Sequence, residues 1–309
     1  MWQPERAAHG PFAATEKDIA GLNRLFADAF TDRYRRDGLV GVRVPFLNAA
    51  IWRYAIADAG EGAMLWRDES ERVVAFNIAH KSGAEGWMGP LAVRPDRQLA
   101  GLGKEIVVAA ADWLKGRGVT TLGLETMPRT VDNIGFYSRL GFVPSFLTLT
   151  MTHEVRQAQD GAPAYEVLGA LDARERTARL EEIGRFVASL APGFDFSREI
   201  QLTLDFALGN VVSVLEAGRL AAFALCHSAP LAENGTRDEL RVLKIAATGT
   251  GTLLTVLEAA TAWAASQNIR RLAVRCQTAY GDAYRALIKR GFRVRWSDLR
   301  MTMTGFEEP

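Results

Sequence analysis

The feature that most constrains this chain is a repeat at a constant offset of 150 positions. Trp113 meets Trp263, Ala110 meets Ala260 and Leu122 meets Leu272. Gly141-Phe142 meets Gly291-Phe292, and Arg139 meets Lys289. Leu149, Met151 and Thr152 meet Leu299, Met301 and Thr302 without a gap. One match means nothing in a chain rich in Ala and Leu, but an unbroken offset argues for a duplicated domain. The length of 309 residues also suggests two domains. The polar stretch 157–163, with Gly161 and Pro163, reads as a linker between domains at 1–156 and 164–309.

Within the first half, apolar periodicity and turn residues predict an α+β order. Thr15 can cap a helix over 16–29, and a second helix fits 45–57. Strands fit 63–67, 73–80 and 86–93. A helix over 101–116, a strand over 121–126, a short helix over 133–140 ended by Gly141, and a strand over 146–153 complete the half. The second half repeats this order, with helices at 174–190, 252–266 and 282–290. Its strands fit 211–217, 220–228, 240–245 and 272–277.

The stretch from Leu91 to Lys104 carries the clearest chemistry. An apolar strand stops at Pro95, a polar turn follows, and Gln98-Leu99-Ala100-Gly101-Leu102-Gly103-Lys104 leads straight into a helix. Amide N–H groups at a helix start point outward and favour anions, and glycines let a phosphate approach the backbone. No Lys-Ser/Thr pair closes a P-loop, and the third glycine of a dinucleotide fingerprint is missing. Taken alone, the pair of glycines fits a plain structural turn as well as an anion cradle.

A second cluster follows at Asn133-Ile-Gly-Phe136-Tyr137-Ser-Arg-Leu-Gly141-Phe142. The two motifs in this order resemble the GCN5-related N-acetyltransferase (GNAT) family. Gln98, Gly101 and Gly103 match its Gln/Arg-x-x-Gly-x-Gly/Ala loop. Asn133, Phe136, Tyr137, Gly141 and Phe142 match its later motif. The resemblance covers roughly residues 12–153. It implies two GNAT-like domains in tandem, each a mixed, mostly antiparallel sheet flanked by helices. It further implies acetyl-CoA as co-substrate, with residues 98–104 on its pyrophosphate. The backbone of Leu91, Ala92 and Val93 would pair with the pantetheine arm, which requires strand 86–93 to splay from strand 121–126. Asn133 and Phe136 would complete the cofactor wall.

Tyr137 is the expected general acid. A phenol near pKa 10 can return a proton to a departing thiolate. Glu125, at the end of strand 121–126, is the candidate base for the incoming ammonium, directly or through water. The alternatives are a core tyrosine and a salt-bridged strand glutamate. His80 and Glu85 are weaker candidates for the base, and Lys104 is a phosphate contact or a solvated lysine. Trp87, Trp113 and Phe136 read as core aromatics. The acceptor cleft is expected along the first two helices, at Phe30, Tyr34, Phe46 and Trp52.

The offset also shows what the second half lacks. Gln98 maps to Thr248, Gly103 to Leu253, Glu125 to Arg275, Asn133 to Ala283 and Tyr137 to Leu287; Gly101 alone survives, as Gly251. A leucine cannot protonate a thiolate, so the second domain reads as a degenerate copy with a structural or substrate-shaping role.

Charge and cysteine usage narrow the class. A net charge of +1 gives no electrostatic case for nucleic acid or an anionic membrane. Two cysteines and four scattered histidines give no metal-ligand spacing, so no metal is expected. No signal-peptide core and no membrane span appear, so a cytoplasmic protein, monomeric or homodimeric, is expected. The leading expectation is acetyl transfer to a primary amine of a small molecule or peptide. The rivals are a non-catalytic acyl-CoA sensor and a tandem acyltransferase of low-molecular-weight thiol synthesis.

Overall fold

In the computed structural model of the chain, residues 8–156 and 161–308 are described; the expected linker lies partly outside them, at 157–160. The chain divides into two compact units. The first takes the chain up to Pro144, plus Leu231–Asn234 and the stretch from Arg300 on. The second takes Ser145–Pro230 and Gly235–Leu299. The units therefore differ from the contiguous halves 1–156 and 164–309, because the chain from Ser145 on falls in the second unit and the stretch from Arg300 on falls in the first.

The first unit runs β1 (His9–Ala13), α1 (Ile19–Arg36), α2 (Ala49–Ala59), β2 (Ala63–Arg67), β3 (Val73–Ser82), β4 (Glu85–Val93), α3 (Leu102–Gly116), β5 (Thr121–Thr126) and α4 (Val131–Ser138). Its sheet has the order β1-β2-β3-β4-β5. All neighbours pair antiparallel except β4 and β5. The far edge of β5 is taken by the C-terminal stretch, where the Leu122 amide donates to the Phe306 carbonyl. α1 and α2 pack on one face through Leu22, Leu25 and Trp52 against Leu65, Phe76 and Ile78. α3 covers the other face, where Asn77 donates to the Ile106 carbonyl and Leu114 packs over Gly86.

The expected elements are present with altered ends. α1 reaches Arg36 rather than 29, since no glycine intervenes before Gly38 and Arg33, Arg35 and Arg36 suit a helix C-terminus. α2 starts at Ala49, where the Asn48 side chain accepts from the Ala50 amide at 3.0 Å.

At Gly123 the sheet leaves no room for a side chain. A Cβ at Gly123 would stand 2.5 Å from Trp87 Cζ3 and 3.0 Å from the Met301 carbonyl oxygen. Gly123 thus lets the Trp87 ring lie across β5. Gly123→Ala is expected to lower stability by about 1–3 kcal/mol, the usual cost of overpacking, measured by urea unfolding.

The second unit follows the same plan. It begins with most of β6 (Phe142–Glu154), then β7 (Glu166–Val167), α5 (Ala173–Leu190), α6 (Ser197–Asp205), β8 (Gly209–Glu216), β9 (Arg219–His227), β10 (Glu239–Ala247), α7 (Thr250–Ser266), β11 (Arg271–Gln277), α8 (Gly281–Lys289) and β12 (Arg293–Met303). β12 enters the first unit at Arg300. Within the second unit, β11 pairs parallel with β10 and antiparallel with residues 148–154 of β6. Val256, Trp263, Leu272 and Phe292 centre its core. α6 has no counterpart in the sequence-based expectation.

Candidate active site

The loop after β4 is shaped by two residues in the left-handed region, Leu99 at φ 66° and Gly101 at φ 88°. A leucine held there is strained by about 1–3 kcal/mol, and its side chain is fully exposed. Among the described residues, no oxygen accepts from the amides of Leu99, Ala100, Gly101, Leu102 or Gly103. The next two, Lys104 and Glu105, donate to the Gly101 carbonyl at 3.0 and 3.2 Å. Five successive donors at a helix start are therefore open, and a Cβ at Gly101 would meet nothing within 4 Å. The Lys104 side chain is exposed beside them.

Gln98 does not aim its side chain at this opening. Its Nε2 donates to the Val93 carbonyl at 3.1 Å, and its Oε1 accepts from Arg36 at 3.1 Å. The side chain braces the loop between β4 and α1, leaving only its main chain for a ligand.

β4 and β5 are paired from Glu85↔Thr121 to Met88↔Leu124 and no further. Beyond that point β4 continues to Val93 on β3 alone, with a bulge opposite Asn77 and Ala79. The strands thus part after Met88, leaving Leu91, Ala92 and Val93 along one side of a wedge and Glu125 and Thr126 along the other. This is the splay that the resemblance requires.

α4 closes the wedge. Asn133 Nδ2 donates to Thr126 Oγ1 at 3.4 Å, tying the helix to the end of β5. A Cβ at Gly103 would stand 3.5 Å from Phe136 Cζ, so the first turn of α3 faces α4. Thr130 donates to Asp37, and Arg33 reaches Asp132 at 3.4 Å, which anchors the start of α4 on α1. Tyr137 is 5 % exposed, with its ring 5.1 Å from Phe136 and 6.2 Å from Phe142. Among the described residues no protein group hydrogen-bonds its phenol. Burial raises the phenol pKa above its ordinary value, so the group stays protonated at neutral pH.

Glu125 is the first β5 residue past the last pair with β4. It is not a lone carboxylate: Arg300 Nη1 donates to it at 3.0 Å. Arg300 also binds Glu308, stands 3.8 Å from Glu85, and lies 3.9 Å over the Trp87 ring. Burial works to lower the Arg300 pKa, but Glu308, Glu125 and Glu85 outweigh it and the net direction is up. Arg300 and Glu308 were invisible to the sequence reading, since nothing local places residue 300 beside residue 125.

Other expectations change. Trp52 is a core residue, 1 % exposed, whose indole donates to Asn23, so it lines no cleft. Phe46 does line one: an open cleft of about 520 Å³ runs along α1 past Asp28, Asp32, Arg35, Arg43 and Val44. Trp87, Trp113 and Phe136 are half-buried rather than core. Among the described residues no cluster of His, Cys, Asp or Glu is placed to hold a metal, and no helix is long and apolar enough to cross a membrane.

In the second unit the equivalent loop is partly capped by its own side chain. The Gly249 amide donates to Thr252 Oγ1 at 3.1 Å, and Thr252 in turn donates to the Gly249 carbonyl. Leu287 is buried, and Arg275 is paired with Asp298 at 3.1 Å.

Residues 22–142 match the sequence model of the acetyltransferase (GNAT) family. Over 72 residues the chain is 38 % identical to the [ribosomal protein bS18]-alanine N-acetyltransferase of Salmonella typhimurium. That match takes 23 % of this chain and 49 % of the relative, so the chain spans about half the relative's length. Among solved structures, a GCN5-related N-acetyltransferase from Sphaerobacter thermophilus aligns with a TM-score of 0.64 at 16 % identity, over 97 % of this chain and 96 % of that one. A putative acetyltransferase from Pyrococcus horikoshii gives 0.68 at 14 %, over 100 % and 93 %. A tandem GNAT protein from the clavulanic acid pathway gives 0.60 at 13 %, over 96 % and 98 %. At these identities the likeness speaks for the tandem α+β fold.

Proposed function

We propose, from the match of residues 22–142 to the acetyltransferase (GNAT) family model, that the first unit transfers an acetyl group from acetyl-CoA to a primary amine. The observation that carries this reading is the run of five open amides at 99–103 ending beside a wedge in the sheet. Such a run fits a diphosphate, because fixed N–H dipoles at a helix start hold an anion without a dedicated side chain. The free edge of Leu91–Val93 fits an extended arm carrying amides, as an added strand would.

Acetyl-CoA supplies the activated thioester. The chain supplies placement and proton handling. Leu91, Ala92 and Val93 orient the arm, and Leu99–Lys104 hold the diphosphate. Asn133 and Phe136 hold the wall on the α4 side. Tyr137 protonates the sulfur that leaves: burial keeps the phenol protonated and ready to donate at neutral pH, the thiolate takes that proton as the carbon–sulfur bond breaks, and the phenol recovers one from solvent. Glu125 receives the ammonium proton, directly or through water. The acceptor is a small-molecule or peptide amine. The second unit, with its loop amide capped and leucine at 287, has a structural or substrate-shaping role.

The test is thiol release from acetyl-CoA across a panel of amines, with CoA affinity measured separately. Gly101→Val is expected to weaken CoA binding about tenfold or more, since a β-branched residue at φ 88° costs about 1–3 kcal/mol and distorts the cradle. Tight CoA binding without turnover on any amine would instead favour an acyl-CoA sensor.

A further inference from the structure

We propose that Arg300, delivered by the last strand of the chain, is a positioning residue for acyl transfer in the first unit, acting through Glu125; the proposal rests on the function above. A general base works only while it is deprotonated and aimed at its proton. Both conditions are set here by a residue 175 positions away in the sequence.

The placement follows from the sheet. Glu85 and Trp87 on β4, and Gly123 and Glu125 on β5, alternate onto the same face, the one opposite α3. His80 stands across from Trp87 on β3 and shares that face. Arg300 enters from the neighbouring C-terminal strand, with Met301 turned to the core and fully buried. Arg300 is 7 % exposed, and its guanidinium carbon lies 3.9 Å over the Trp87 ring, which helps hold the group in place. Its Nη1 is committed to Glu125, and its Nη2 to Glu308, with Glu85 beyond.

Three carboxylates thus share one buried cation. Glu125 sits at the mouth of the wedge, where the amine must arrive, whereas Glu308 lies in the C-terminal tail and Glu85 at the paired, closed end of β4. Only Glu125 is placed to serve the reaction; the other two hold the guanidinium. The cation favours ionised Glu125 and pins the carboxylate to one orientation. Without it, Glu125 would lose the guanidinium it shares with Glu85 and Glu308, and nearby like charges raise proton affinity.

The decisive measurement needs no turnover. Carboxyl carbons of glutamate labelled with carbon-13 are titrated by NMR in the full chain, with Glu125→Gln assigning the resonance. Arg300→Met is expected to move the Glu125 midpoint upward by about one to three pH units, and Arg300→Lys by less. The acid limb of kcat/KM for thiol release should move with it, and vanish in Glu125→Gln. An unmoved midpoint overturns the proposal, as does a moved midpoint with an unmoved acid limb. If Arg300→Met does not fold, Glu125→Gln decides: an acid limb that persists overturns the proposal, and one that disappears supports it. A parent chain that releases no thiol with any amine fails differently: it overturns the acetyltransferase reading itself, and the positioning role with it.

Discussion

Tyr137→Phe is expected to lower turnover by about 10²–10⁴-fold, the usual worth of a positioned general acid. CoA affinity should stay within about twofold. The substitution removes one oxygen from a ring that is otherwise held by Phe136 and Phe142. Among the described residues that oxygen has no protein partner, so its removal leaves no donor or acceptor stranded, and folding stability should barely change. A purely structural tyrosine would give the opposite pattern, with turnover retained. Single-turnover thiol release, beside calorimetric CoA binding, separates the two.

A chain ending at Leu299 is expected to lose thiol release entirely and to unfold at a lower temperature, although every residue from 8 to 144 is intact. The lost segment carries fully buried Met301 and nearly buried Thr302 and Arg300. Removing a buried methionine side chain alone costs about 2–5 kcal/mol. The β5 edge would also lose its partner, and Glu85 and Glu125 would lose their cation. Differential scanning calorimetry of the shortened chain checks this. Unchanged melting with unchanged activity would mean that the first unit is complete without the segment.

Much of the site was legible because its logic is local. Gly101, Gly103 and Gln98 announce a loop at a helix start, and the structure leaves that loop's amides open. Pro95 and the glycines bracket α3 closely, and Asn133 and Tyr137 fall on a short helix as the motif requires. Gln98 was misread in one respect, for a glutamine beside glycines does not reveal that its amide will bridge Val93 and Arg36. Trp52 was misread because an aromatic on an amphipathic helix gives no sign of which neighbour it will meet.

The strand exchange was not legible for a deeper reason. Residues 146–153 read as a closing strand, residues 296–303 align with them at the constant offset, and both stretches lie in strands. Period-two alternation specifies which face is buried, not which sheet supplies the partner. The two copies share this pattern, since Met151 and Met301 are both buried and Thr152 and Thr302 both follow them. The charge balance around residue 125 depends on that choice of partner, so Arg300 could be found only once the strands were placed.

The exchange has a consequence for synthesis. Residues 1–144 leave the ribosome long before residues 300–306, which border β5. At elongation rates of about 5–20 residues per second the gap is roughly ten to thirty seconds. Over that interval the nascent first unit has an open sheet edge and two acidic side chains awaiting their cation. Vectorial folding, domain after domain, is closed to such a chain; the first half to be made is finished only with the last.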